Sequence, residues 1–209
     1  MSRDRLSYVR AAWHAARRLR FTLGFLAVMT LANFLAGSLA GDLPQRALAD
    51  WGISLADLKR GEVFRLMTGT FLSHDSDMFA RQFLFAAAVI GYTEWQRGSL
   101  RAAALFFFLD ILGTLILLPL VGSIALLAGT SDVGMSIGGF GLIGLAIAGR
   151  KRAVFLCAAS LAAIALKYAI SPDPIADAGH VLALVLGLIA GKLTGGVRRT
   201  RKAGICHAR

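Results

Sequence analysis

Residues 131–152 read SDVGMSIGGFGLIGLAIAGRKR: an acidic, hydroxyl-bearing edge, then a glycine-rich apolar run, then three consecutive basic residues. The run 133–149 carries no charge. A polar start, an uncharged apolar middle and a basic end are the order of a helix that crosses a bilayer from the outer to the cytoplasmic side. That reading sets the solvent in which the rest of the chain is interpreted.

Composition agrees with it. The 209 residues are 56% hydrophobic and include 23 glycines, and the mean hydropathy is +0.65. This is the profile of a polytopic membrane protein rather than of a water-soluble domain. Further apolar windows lie at 21–40, 79–93, 102–128, 153–170 and 175–195. A hydrocarbon core of about 30 Å takes about 20 helical residues, and fewer where neighbouring protein shields the ends. The expected fold is therefore all-α, a bundle of six transmembrane helices over 21–195, preceded by a basic segment 1–20 and followed by a basic tail 196–209. The basic stretch RAAWHAARRLR before the first window resembles the start of a signal peptide, but the apolar run is long and no cleavage site follows it, so it is read as a retained helix.

Orientation follows from the basic residues. They gather in the N-terminal segment, in the 93–101 loop (Arg97, Arg101), in the 149–152 loop (Arg150, Lys151, Arg152) and in the tail. With six helices all four regions fall on one side, which the positive-inside bias makes cytoplasmic. The 41–77 loop is acidic by contrast, with Asp42, Asp50, Asp57, Glu62, Asp75 and Asp77 against Arg46, Lys59, Arg60 and Arg65. The expectation is a multi-pass protein of the inner (plasma) membrane with both termini cytoplasmic. The net charge of +11 is then a collar facing anionic membrane lipid, and no nucleic-acid partner is called for. Cys157 and Cys206 offer neither a disulfide framework nor a CxxC metal site. No cofactor and no metal are expected.

Two polar residues share a depth. Ser136 lies four residues past Asp132, about 6 Å below the outer surface at 1.5 Å per residue, and His180 lies a similar distance past Pro174. An intramembrane histidine is costly and points to function. Ala183, Gly187 and Gly191 continue the histidine's helix face, and Gly134, Gly138 and Gly141 form a second small-residue stripe. Such stripes let helix backbones approach, which would bring a serine hydroxyl within reach of an imidazole as nucleophile and base. The alternative is a serine hydroxyl bonded to its own helix backbone, a common packing role.

GEVFRLMTGTFLSH (61–74), GYTEWQRGSLR (91–101), GMSIGGFG (134–141) and GHVLALVLG (179–187) occur in that order. Together they resemble the signatures of the rhomboid family of intramembrane serine proteases, in the form of a divergent bacterial rhomboid-like branch, over roughly residues 20–195. The resemblance implies peptide-bond hydrolysis inside the membrane near its outer surface, with Ser136 as nucleophile and His180 as general base and then acid. It implies partners that are transmembrane protein substrates or clients. It makes His74 an oxyanion candidate and Gly134, Arg65 and Glu94 supporting residues. Asp177, one turn before His180, is expected to cap the last helix.

The chain departs from the family at several positions. Phe64 replaces a tryptophan, Ile137 and Ala183 replace glycines, and Phe79 and Phe83 stand where active members carry a histidine and an asparagine that stabilise the oxyanion. Phenylalanine donates no hydrogen bond, and one lost donor costs about 100- to 1000-fold in rate. Gln82, one residue away, is the substitute candidate, with Arg81 a further donor. Asp110, in mid-helix, is expected to be hydrogen-bonded or protonated inside the bundle. Two alternatives stand beside the protease: a rhomboid-like protein that binds transmembrane segments without cleaving them, and a small proton-coupled transporter using Asp110 or His180. The two halves show no inverted repeat, which counts against the transporter.

Overall fold

The computed structural model describes residues 17–123, 131 and 133–206, with side chains as far as Thr194. Of the basic terminal segments, residues 1–16 and the side chains beyond Thr194 lie outside the described residues, as does Asp132. Helices are the main regular structure among the described residues, and each of the six apolar windows overlaps a helix. Among the described residues three helices are long and apolar enough to cross a membrane: Ser99–Gly122, Ala153–Ile170 and Pro174–Thr194. Two more, Arg20–Ala36 and Ser136–Ile147, are apolar but shorter. Ser76–Arg97 has the length but carries Asp77, Arg81, Glu94 and Arg97.

The chain forms two compact units. The first runs to Phe107 and takes in Ser131–Met135. It contains α1 (Arg20–Ala36), the short helices α2 (Gln45–Trp51), α3 (Leu55–Lys59) and α4 (Arg65–Thr68), a 3-10 turn Gly69–Phe71, α5 (Ser76–Arg97) and the start of α6 (Ser99–Gly122). The acidic segment 41–77, expected as an outer loop, is thus built in part from short helices. Helix α1 has no side-chain cap at Leu19. Glu94 of α5 fills that role, its carboxylate accepting the amides of Phe21 and Thr22, both at 2.8 Å, and the Thr22 hydroxyl at 2.6 Å. A carboxylate at a helix N-terminus satisfies orphan donors and meets the positive end of the dipole. At the far end α1 stops at Gly37, whose φ of 87° supplies a left-handed cap.

Aromatic packing fills this unit. Phe25 lies 4.9 Å from Phe71 and 5.0 Å from Phe106, ring centre to ring centre, within the range in which aromatic pairs attract beyond their buried area. Above it, buried Asn33 ties α1 to the turn before α5: Nδ2 donates to the Phe71 carbonyl at 2.7 Å, and Oδ1 accepts from the Ser73 amide at 2.8 Å and the Ser38 hydroxyl at 2.7 Å.

The second unit comprises Phe108–Thr130, of which 108–123 are described, and Ser136 onward. It holds the remainder of α6, α7 (Ser136–Ile147), α8 (Ala153–Ile170) and α9 (Pro174–Cys206). Its closest approach is between α7 and α9. A Cβ on Gly187 would meet the Gly141 carbonyl oxygen at 1.9 Å, and one on Gly144 would meet the Leu184 carbonyl oxygen at 2.2 Å. The small-residue stripe of α9 is therefore the contact face, as the sequence indicates. On the partner helix the face is Gly141 and Gly144, while Gly134 precedes α7 altogether. Helix α8 buries only Ile164 and leaves Val154, Phe155, Leu166 and Ile170 exposed. A helix apolar on every side and buried on almost none belongs in hydrocarbon.

Candidate active site

Ser136 is the first residue of α7 and is half-buried. The helix starts there because Gly134, with φ of 122°, turns the chain in a way that side-chain-bearing residues rarely allow. The new N-terminus is held from α6. The buried carboxylate of Asp110 accepts the Gly138 amide at 2.8 Å, so the mid-helix aspartate is a hydrogen-bonded group, as expected, and acts as a cap supplied by another helix. Ile137 follows the serine, yet its side chain does not crowd it. It is 4% exposed and packs with Leu117, Val121 and Ala183, turned into the core.

His180 lies buried on α9. Its ring stacks on Phe140, 4.4 Å between centroids with 28° between planes. Phe140 is four residues past Ser136 and so shares its helix face. The imidazole is thereby held against the face of α7 that begins with the serine. Among the described residues Nε2 of His180 has no hydrogen-bond partner, so the serine hydroxyl and the imidazole are not bonded to each other. Nδ1 lies 3.5 Å from Oδ1 of Asp177.

The sequence reading assigned the cap of α9 to Asp177. Asp173 shares that work: its Oδ1 accepts the Ala176 amide at 3.1 Å, with Pro174 in the first helical position, where its missing amide costs nothing. Oδ2 of Asp177 accepts the Asp173 amide at 3.2 Å and the Lys167 ammonium at 3.0 Å.

The other sequence candidates lie in the first unit. Gln82 is buried, and its Oε1 accepts the Ser73 hydroxyl at 3.2 Å. Its Nε2 faces Gly134, where a Cβ would sit 2.4 Å from it. The Gly134 amide donates to the Gly69 carbonyl at 2.8 Å. His74 is half-buried, and its carbonyl accepts the Leu43 amide at 2.6 Å. Phe79 and Phe83 pack against each other at 5.7 Å. Arg65 clamps the acidic 41–77 segment, donating to the Ala49 and Gly52 carbonyls and pairing with Glu62 at 2.5 Å and Asp57 at 3.7 Å. Glu94 caps α1 as described. Among the described residues no three His, Cys, Asp or Glu side chains are grouped to hold a metal ion.

Sequence reasoning missed Phe140, Lys167 and Asp173. The spacing of four between Ser136 and Phe140 was the available signal for the first. Lys167 sits on a different helix from Asp177, and no local pattern marks it. No family model matches the chain, and no curated protein does.

Proposed function

We propose that the chain is a six-span intramembrane serine endopeptidase of rhomboid type, with both termini cytoplasmic in the inner membrane. It would cut transmembrane-helix substrates near the outer surface. Ser136 is the nucleophile and His180 the base that takes its proton and then delivers it to the leaving amine. The observation that carries this reading is the stacking of His180 on Phe140, which holds an unbonded imidazole nitrogen against the helix that Ser136 begins. A helix N-terminus leaves amide donors without intrahelical partners, and those of Ser136 and Ile137 are suited to a developing oxyanion.

Fluorophosphonate labelling in liposomes tests it. Wild type should form an adduct that Ser136→Ala abolishes and His180→Ala slows by about 100-fold or more. No Ser136-dependent adduct, and no cleavage of a reporter helix, would sink the protease. The second reading, a protein that binds transmembrane segments without cutting them, then stands. It is favoured by the Phe79–Phe83 pair, which occupies the positions where active rhomboids carry oxyanion donors.

A further inference from the structure

A serine and histidine acting alone leave Lys167 and the second carboxylate oxygen of Asp177 without a role. Asp177 is 7% exposed and His180 8%, and a carboxylate buried this deeply is costly unless its oxygens are used. One of them is: Oδ2 is held by Lys167 of α8 and by the Asp173 amide. The other, Oδ1, has no hydrogen-bond partner among the described residues, and it lies 3.5 Å from Nδ1 of His180. On the far side of the same ring, Nε2 is also unpartnered among the described residues. The start of α9 does not explain Asp177 by itself, because the Asp173 side chain and Pro174 already cap it.

The two unpartnered atoms fit one arrangement. If Oδ1 accepts a proton carried on Nδ1, the imidazole is fixed in the tautomer whose Nε2 is bare, the form that can take a proton from a hydroxyl. A small rotation of the carboxylate closes the distance, and catalytic hydrogen bonds are often long before substrate binds.

We propose that Lys167 and Asp177 are positioning residues for His180: Lys167 anchors Asp177, and Asp177 holds the imidazole through Nδ1. The catalytic consequence rests on the reading of Ser136 as nucleophile; the tautomer does not. As the Ser136 Oγ bonds to the scissile carbonyl carbon, its proton passes to Nε2. When the carbon–nitrogen bond breaks, that proton goes to the leaving amine. Asp177 accepts from Nδ1 throughout, stabilising the imidazolium between the two transfers. The charged groups around the ring are Asp177, Asp173 and Lys167; α7 offers it the Phe140 ring and no charge.

The test is nitrogen-15 NMR of the full-length protein in lipid nanodiscs, labelled at its 4 histidines and assigned with a His180→Asn variant. Wild type should carry the His180 proton on Nδ1. In Asp177→Asn the amide oxygen turns to Lys167 and the Asp173 amide, and its NH2 turns to Nδ1. The His180 proton should therefore move to Nε2, and Ser136 labelling should fall on the order of 100- to 10,000-fold. Lys167→Met should give mixed tautomers and a smaller loss, about tenfold.

A wild-type His180 protonated on Nε2 overturns the inference, and of the variants that outcome needs only His180→Asn, for the assignment, to fold. So does an Asp177→Asn protein with unchanged tautomer and labelling rate. A tautomer that moves as expected in a protein forming no Ser136 adduct upholds the positioning and removes the protease reading.

Discussion

Gly134 carries two constraints at once. Its φ of 122° excludes most side chains, and a Cβ would sit 2.4 Å from Nε2 of Gln82 and 3.1 Å from Cε of Met78. Gly134→Ala therefore combines backbone strain of about 1–3 kcal/mol with displacement of a buried amide. A lowered melting temperature in detergent and loss of Ser136 labelling are expected, while Gly41→Ala, where nothing lies within 4 Å, should leave both unchanged. The sequence motif pointed to Gly134 through its place before the serine. Its reason, a turn packed on Gln82, was not legible there, because Gln82 is 52 residues away by number (134 less 82).

Asp57 gives a residue-scale prediction in pH. Burial raises the pKa of its carboxyl, but hydrogen bonds from the Ser54 hydroxyl and amide, and the charges of Arg65 and Arg60, outweigh burial and leave it lowered from 3.8. A carboxylate depressed in the folded state contributes stability that is fully present above its unfolded value and is lost as pH falls through the folded one. The acidic 41–77 segment should thus hold above about pH 4 and loosen below 3.8. The fluorescence of Trp51, in a variant whose other two tryptophans are phenylalanine, would report the transition. Asp57→Asn should remove that pH dependence.

At the scale of elements, the α7–α9 pair depends on glycine as a spacer. Gly187 lies against the backbone of Gly141, which cannot rotate away as a side chain could. Gly187→Ala should push the helices apart, costing about 1–3 kcal/mol as overpacking does. Gly24→Ala in α1, with nothing within 4 Å of a Cβ, should be neutral or slightly stabilising. Thermal unfolding of the two variants side by side checks the contrast. The α9 half of this contact was legible from its repeat at Gly187 and Gly191. On α7 Gly141 was legible from its stripe while Gly144 was not, because the stripe read from the sequence assumed a helix already running at Gly134, whereas α7 begins at Ser136.

For the whole molecule, charge and hydropathy lead to one testable topology. The proposed arrangement, with six spans and both termini inside, predicts that a cysteine placed at Asp42 reacts with a membrane-impermeant maleimide in intact cells. In the same background, with Cys157 and Cys206 replaced by serine, a cysteine at Lys151 should react only after permeabilisation, and the reverse pattern would invert the proposal. The run of arginines and acidic residues made this prediction available before any fold was known, since orientation depends on which loops carry positive charge and not on how helices pack.

What the sequence by itself determined was the solvent and the local geometry: apolar windows that fall on helices, and a serine and a histidine near the starts of two of them. Periodicity and charge are local properties, so they survive without coordinates. What only the tertiary structure decided was the chemistry around those residues. The Asp110 carboxylate reaches the Gly138 amide, Phe140 covers the His180 ring, and Lys167 holds one oxygen of Asp177 while the other faces Nδ1. Each of these joins residues on separate helices, or fixes a side-chain direction that backbone spacing leaves open. Their partners are therefore set by packing and not by pattern.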